Sequence, residues 1–206
     1  MATKCFHILG RIAGMGVTLT LVNLLSANAE AQQSPYTPYQ HKALYLFNFA
    51  KYTEWPKTAF PDDKAPFVLG ILGNDPFGSD IDIIKGKTIK GRKLVIRHLK
   101  SAQEAANCQL LFICSSETNN LAQIFRAVEH SSVLTIAEAE GFTEQNGMIN
   151  LVTEQRTPGS QVVTFEINQS AAEKANLRLD TQLLKLARKT KSGATLMRAK
   201  PAFSPT

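Results

Sequence analysis

The chain is poor in the residues that usually mark a catalyst. Its 206 residues include 4 His, 3 Cys and 1 Trp, and aromatics make up only 8%. There is no G-x-S-x-G, H-E-x-x-H, EF-hand loop or S-x-x-K, which removes the hydrolase elbow, the zinc-protease helix, the calcium loop and the acyl-serine dyad. His41, His98 and His130 are scattered without ligand spacing, so no metal is expected. The loop Gly73-Asn-Asp-Pro-Phe-Gly78 has neither the G-x-G-x-x-G spacing nor the Lys-Ser/Thr of a phosphate loop and reads as a turn with a helix cap. No cofactor is expected.

Long apolar runs are also lacking. The longest, Ile12 to Leu25, is interrupted by Thr18, Thr20 and Asn23 and falls short of the roughly 20 residues that a membrane span needs. Lys4 and Arg11 precede it, and Ser26-Ala-Asn-Ala29-Glu-Ala31 follows with two A-x-A sites. This is the pattern of a Sec export signal cleaved after residue 31, so the mature protein is expected to be exported. The expected organisation is a signal at 1–31, one domain at 32–189 and a flexible basic tail at 190–206.

Charge is unevenly placed. Lys185, Arg188, Lys189, Lys191, Arg198 and Lys200 have no acid among them, so the positive excess belongs largely to the tail. A second acid-free cluster runs Lys85, Lys87, Lys90, Arg92, Lys93, Arg97, Lys100. An exported protein seldom meets nucleic acid, so these clusters read as solvated faces and no nucleic-acid partner is expected. Cys108 and Cys114 flank the run Gln-Leu-Leu-Phe-Ile. As one strand this separates them by roughly 20 Å, beyond the about 7 Å between Cα atoms that a disulfide tolerates. Both side chains are expected on one face of that strand, as buried small hydrophobes.

Periodicity predicts a helix from Pro38 to Thr53, then strands at Phe67–Gly73, Lys93–Leu99 and Gln109–Cys114. Short helices fit Pro76–Ile84 and Ser101–Ala106, and a longer one fits Asn120–Glu129. Strands at Val133–Ile136, Met148–Glu154 and Gln161–Ile167 follow, the last two as a hairpin around Pro158-Gly159. A terminal helix from Asn168 to about Lys189 has an irregular place near Asn176. The fold class is therefore α/β: a single domain with a mainly parallel five- to six-stranded sheet flanked by helices, ending in a hairpin strand and helix.

Two segments are distinctive. Lys42-Ala-Leu-Tyr-Leu-Phe-Asn-Phe-Ala-Lys-Tyr-Thr-Glu-Trp-Pro56 and Phe165-Glu-Ile-Asn168, with Ala172, Ala175, Leu177 and Leu183-Leu-Lys-Leu-Ala187, resemble the opening helix and the closing strand and helix of the YfiR family. Val68-Leu-Gly-Ile-Leu-Gly73, Leu111-Phe-Ile and Gly147-Met-Ile-Asn150 occur between them in the expected order. The resemblance implies a periplasmic, non-catalytic repressor. Its implied partner is the periplasmic portion of an inner-membrane diguanylate cyclase, whose cyclic-di-GMP output it lowers. Release through an outer-membrane partner with an OmpA-like domain is implied as well. Two other classes stay open on the residues alone: a small-molecule-binding protein or enzyme with a pocket at the strand ends, near Gly73 to Gly78, and a structural envelope protein.

At about 100° per residue, Ala43, Leu46, Phe47 and Ala50 share one face of the first helix, while Tyr45, Phe49 and Tyr52 lie on the opposite side. Such a helix is either covered twice within its domain or leaves a face for another chain. Tyr45, Phe49 and Tyr52, flanked by Trp55, are the candidate partner-binding residues, in a homodimer or against another protein. The alternative is that the C-terminal helix covers them.

Overall fold

The computed structural model of the protein describes residues 36–157 and 160–191. The expected export signal and residues 192–206 of the expected tail lie outside the described residues.

Helix α1 (Pro38–Lys51) starts at a capping box. Thr37 Oγ1 accepts from the Gln40 amide, and the Gln40 side chain accepts from the Thr37 amide, with Pro38 at the first turn. The short β1 (Thr53–Glu54) follows. Strand β2 (Phe67–Leu72) is buried along its whole length. Its apolar run FVLGIL is what a strand covered on both faces requires. A 3₁₀ turn (Gly78–Ile84) leads to the hairpin of β3 (Thr88–Ile89) and β4 (Arg92–Leu99). A second 3₁₀ turn (Ala102–Asn107) precedes β5 (Leu110–Ile113), and a third (Ser115–Asn120) runs into α2 (Leu121–Val128). Then come β6 (Leu134–Ala137), β7 (Ile149–Thr157) and β8 (Ser160–Asn168). The chain continues through α3 (Gln169–Lys174), β9 (Arg178–Leu179), α4 (Thr181–Leu186) and β10 (Lys189–Lys191).

The main sheet has eight strands in the order β10-β8-β7-β6-β5-β2-β4-β3. The run β4-β2-β5-β6-β7 is parallel, and β8 returns antiparallel to β7. The six expected strands are therefore present, and the short β3 and β10 extend the two edges. The segments at 76–84 and 101–106 form 3₁₀ turns, because pieces this short gain little from α-helical cooperativity. The terminal helix is broken: Asn176 adopts a φ of 58°, and the chain runs out into β9, which pairs with β1. Lys189–Lys191 pairs with Glu166–Asn168 as the last described strand.

One sheet face packs Leu69, Ile71 and Phe112 against α1, the Gly78–Ile84 turn and the C-terminal segments. The other packs Leu72, Leu111 and Ile113 against α2 and Phe142. Cys114 belongs to the α1 side. Cys108 sits on the opposite side, where a Cβ on Gly70 would come within 2.8 Å of both its sulfur and Leu99. The two thiols, expected on one face, thus lie on opposite faces. The strand begins only at Leu110, and Cys108 belongs to the end of the preceding 3₁₀ turn. Both are free and buried.

Candidate functional site

The aromatic residues of α1 are arranged differently from the helical-wheel expectation. Phe49 is fully buried, with its ring 5.0 Å from Phe165 and 5.8 Å from Tyr45. Tyr45 is half-buried against Phe165 at 5.6 Å, and its hydroxyl donates to the Val163 carbonyl at 3.1 Å. The cover is β8 rather than the C-terminal helix. Helix α1 is lodged between β8 and the Gly78–Ile84 turn, so more than one side of it is used in packing. Trp55 is also half-buried, edge-on to Phe67 at 5.0 Å, and its indole donates to the Gln109 carbonyl at 3.2 Å. Of the four candidates only Tyr52, 39% exposed, presents its ring to solvent.

One cation lies at the edge of reach of that ring, and two lie near the neighbouring Phe47. Lys51 Nζ lies 6.0 Å from the Tyr52 ring and 5.8 Å from Phe47, and Lys87 Nζ lies 5.8 Å from Phe47. Each such contact contributes about 0.5–1 kcal/mol at an exposed site. A shallow cleft of about 240 Å³ beside Tyr52 is lined by Lys51, Lys90 and Arg178, with Glu54 and Asp180. Tyr52 is held in place because its carbonyl accepts from the Asp180 amide at 2.9 Å. Arg178 is paired with Glu54 at 3.7 Å, so the ring stands in a polar surround of both signs, which suits a polar protein surface.

Open α/β sheets bind ligands beyond their strand carboxyl ends, where neighbouring strands leave in opposite directions. Here that point lies between β2 and β5. It is closed by packing: Gly73, at φ 101°, is so close to the loop after β5 that a Cβ would strike Ser116 Oγ. Ser116 Oγ also accepts from the Asn74 amide at 2.9 Å. Asp75 accepts from the Phe77 amide and from His98 Nε2 at 2.7 Å. The segment Gly73–Gly78 is thus a turn stitched to its neighbours. Burial, with Asp75 and Glu117 adding to it, pushes the Cys114 thiol up to about 12, which makes it a poor nucleophile.

Further along the same sheet edge, a cleft of about 560 Å³ is lined by Glu138, Glu140, Asn150, Thr153, Glu166 and Arg188. The ammonium of Lys42, from α1, reaches both oxygens of Glu138 at 2.7 Å and lies 4.3 Å from the Tyr39 ring. Thr153 donates to Glu138 at 2.9 Å. Arg188 bridges Glu154 and Glu166 across β7 and β8. Burial, and then the Glu138 carboxylate, raise the Tyr39 phenol above its usual value. Among the described residues no group of three or more His, Cys, Asp or Glu is placed to hold a metal. The carboxylate that accepts from the Thr153 hydroxyl is already paired with the Lys42 ammonium. The arrangement is suited to binding.

Sequence reasoning missed Lys42 and Glu138, which are 96 residues apart. The available signal was a lysine on the same side of α1 as Phe49, where a solvated charge does not fit. Among the described residues no helix is long and apolar enough to cross a membrane.

A family model described as YfiR/HmsC-like matches residues 39–188. Among solved structures, a conserved domain protein from Vibrio cholerae O1 biovar El Tor is 12% identical with a TM-score of 0.52. The match covers 75% of this chain and 60% of that one. The ABC domain from Streptococcus pneumonia, solved with L-Trp, is 11% identical with a TM-score of 0.48, over 74% of this chain and 62% of the other. The chain thus spans about 60% of the length of the Vibrio protein, with which it shares a fold. No curated protein sequence matches it.

Proposed function

The chain belongs to the YfiR/HmsC-like family, at family level a group of periplasmic, non-catalytic regulators of diguanylate cyclase. From that membership we propose that this protein binds the periplasmic portion of an inner-membrane diguanylate cyclase and represses it. Cyclic-di-GMP output falls without the repressor touching the nucleotide. An outer-membrane OmpA-like lipoprotein relieves the repression, and the repressor acts as a homodimer. The single observation on this molecule that supports the reading is Tyr52, an aromatic ring exposed among Lys51, Lys90 and Arg178.

Deleting the gene is expected to raise cellular cyclic-di-GMP and surface attachment, and a plasmid copy is expected to reverse both. A Tyr52→Ser, Lys51→Glu copy, secreted and folded at wild-type level, is expected not to reverse them. Unchanged cyclic-di-GMP in the deletion strain under several growth conditions overturns the proposal. Full reversal by the altered copy moves the interface away from Tyr52.

A second reading has one observation behind it. The 560 Å³ cleft at Glu138 and Arg188 is of a size for a small polar ligand, in which case the protein is a periplasmic receptor. Turnover of an ester, peptide or nucleotide by the purified protein would favour an enzyme instead.

A further inference from the structure

On one side the sheet ends at the two-residue β3, which leaves most of the outer edge of β4 without a neighbouring strand. β3 pairs only with Arg92 and Lys93, and the Leu94 amide turns outward to the Lys87 carbonyl at 2.8 Å. Backbone groups alternate sides along a strand, so Ile96 and His98 also turn their amides and carbonyls away from β2. No described strand lies beyond them. Proteins blunt such an edge or use it to add a strand from a partner.

The side chains along this edge decide what it accepts. From Lys85 to Lys100 there are seven lysines and arginines and no acid. Arg92 is committed to the Asp62 and Ala65 carbonyls and to the Phe60 ring, and Lys85 to Asp82. Among the described residues Lys93, Arg97 and Lys100 are exposed and take part in no ion pair. A second copy of this edge would set these cations against each other, so charge disfavours self-pairing here.

We infer that the outer edge of β4, from Leu94 to Leu99, docks an acidic extended segment of a partner protein as an added strand. The backbone of Ile96 and His98 would supply hydrogen bonds, and Lys93, Arg97 and Lys100 would select for carboxylates.

The test uses the full mature chain and a synthetic peptide of alternating glutamate and valine. A peptide of alternating lysine and valine and anionic lipid vesicles serve as controls. The expected result is saturable binding of the acidic peptide alone, slowed hydrogen exchange at the Ile96 and His98 amides, and weakening as salt is raised. Arg97→Glu with Lys100→Glu is expected to weaken binding by about tenfold or more. Ile96→Pro removes the outward amide, together with an aliphatic side chain that packs on the core, and is expected to abolish binding; the charge-reversal pair keeps the test decisive if that variant fails to fold. No binding, or binding without protection of these amides, overturns the inference and leaves the lysines as guards against aggregation. Vesicle binding in place of peptide binding overturns it in favour of a lipid surface, and concentration-dependent self-association through β4 overturns it in favour of a second copy. Because the readout is a peptide and not cyclic-di-GMP, this result and the cyclase result stand separately.

Discussion

The ammonium of Lys42 lies 2.7 Å from both carboxylate oxygens of Glu138, on a side chain that is only 5% exposed, while Glu138 is 31% exposed. This pair joins the first helix to the end of the central parallel sheet. Removing one member leaves a desolvated charge, at a cost of about 2–4 kcal/mol after allowing for the wetter partner. Lys42→Met alone is therefore expected to lower the urea midpoint clearly. The double change Lys42→Met, Glu138→Leu is expected to recover much of the loss. Additive losses in the double variant would show that the pair does not act as a unit.

The aromatic packing of α1 separates core from surface. Phe49→Ala is expected to cost about 3–5 kcal/mol, as for other buried rings. Tyr45→Phe removes only the bond to Val163 and is expected to cost about 1 kcal/mol. Tyr52→Ser is expected to change stability by less than about 0.5 kcal/mol. Chemical denaturation of the three variants checks the order. A double change of Tyr45 and Phe49 to Ser is expected to unfold the domain rather than to dissociate a complex.

Burial raises the Cys108 thiol to about 11 and the Cys114 thiol to about 12, from an ordinary value of 9.0. Neither is expected to react with Ellman's reagent near neutral pH until the protein is denatured, when both react. The folded state holds thiol protons that the unfolded chain gives up above pH 9. Their contribution is thus complete below pH 9 and lost as pH rises toward about 11 and 12. Replacing both cysteines with Ala is expected to flatten that part of the alkaline stability curve.

Two glycines with positive φ make a matched pair. Gly91, at φ 82°, has open space where a Cβ would go, whereas a Cβ at Gly73 would strike Ser116 and Glu117. Gly91→Ala is expected to cost about 1 kcal/mol from backbone conformation alone. Gly73→Ala is expected to cost clearly more, since the loop after β5 must move as well. Equal losses in thermal unfolding would show that the two loops do not bear on one another.

Much of the fold could be read from sequence where residue pattern and burial coincide. FVLGIL and LLFI are fully apolar because β2 and β5 are covered on both faces, and a signal of that kind survives without tertiary knowledge. The short edge strands β3 and β10 carry no such pattern, being two or three residues long. The α1 surface was half readable. Counting angles identified two apolar sides, but only the return of β8 decided that Tyr45 and Phe49 are covered and Tyr52 is not. Lys42 and Glu138 were invisible for the same reason: nothing local to either residue announces a partner 96 positions away.

The closure of α1 by β8 also fixes an order of events. The Tyr45 hydroxyl and the Val163 carbonyl are 118 residues apart, so α1 waits for β8 before its rings are shielded. Contacts of such long range slow folding, because the chain must close a large loop before it gains from them. A nascent or freshly translocated chain therefore carries an amphipathic aromatic helix with no shelter until about residue 165 has emerged. Such a chain is a natural client for a holdase, and a truncation before β8 would leave a sticky fragment rather than a smaller domain.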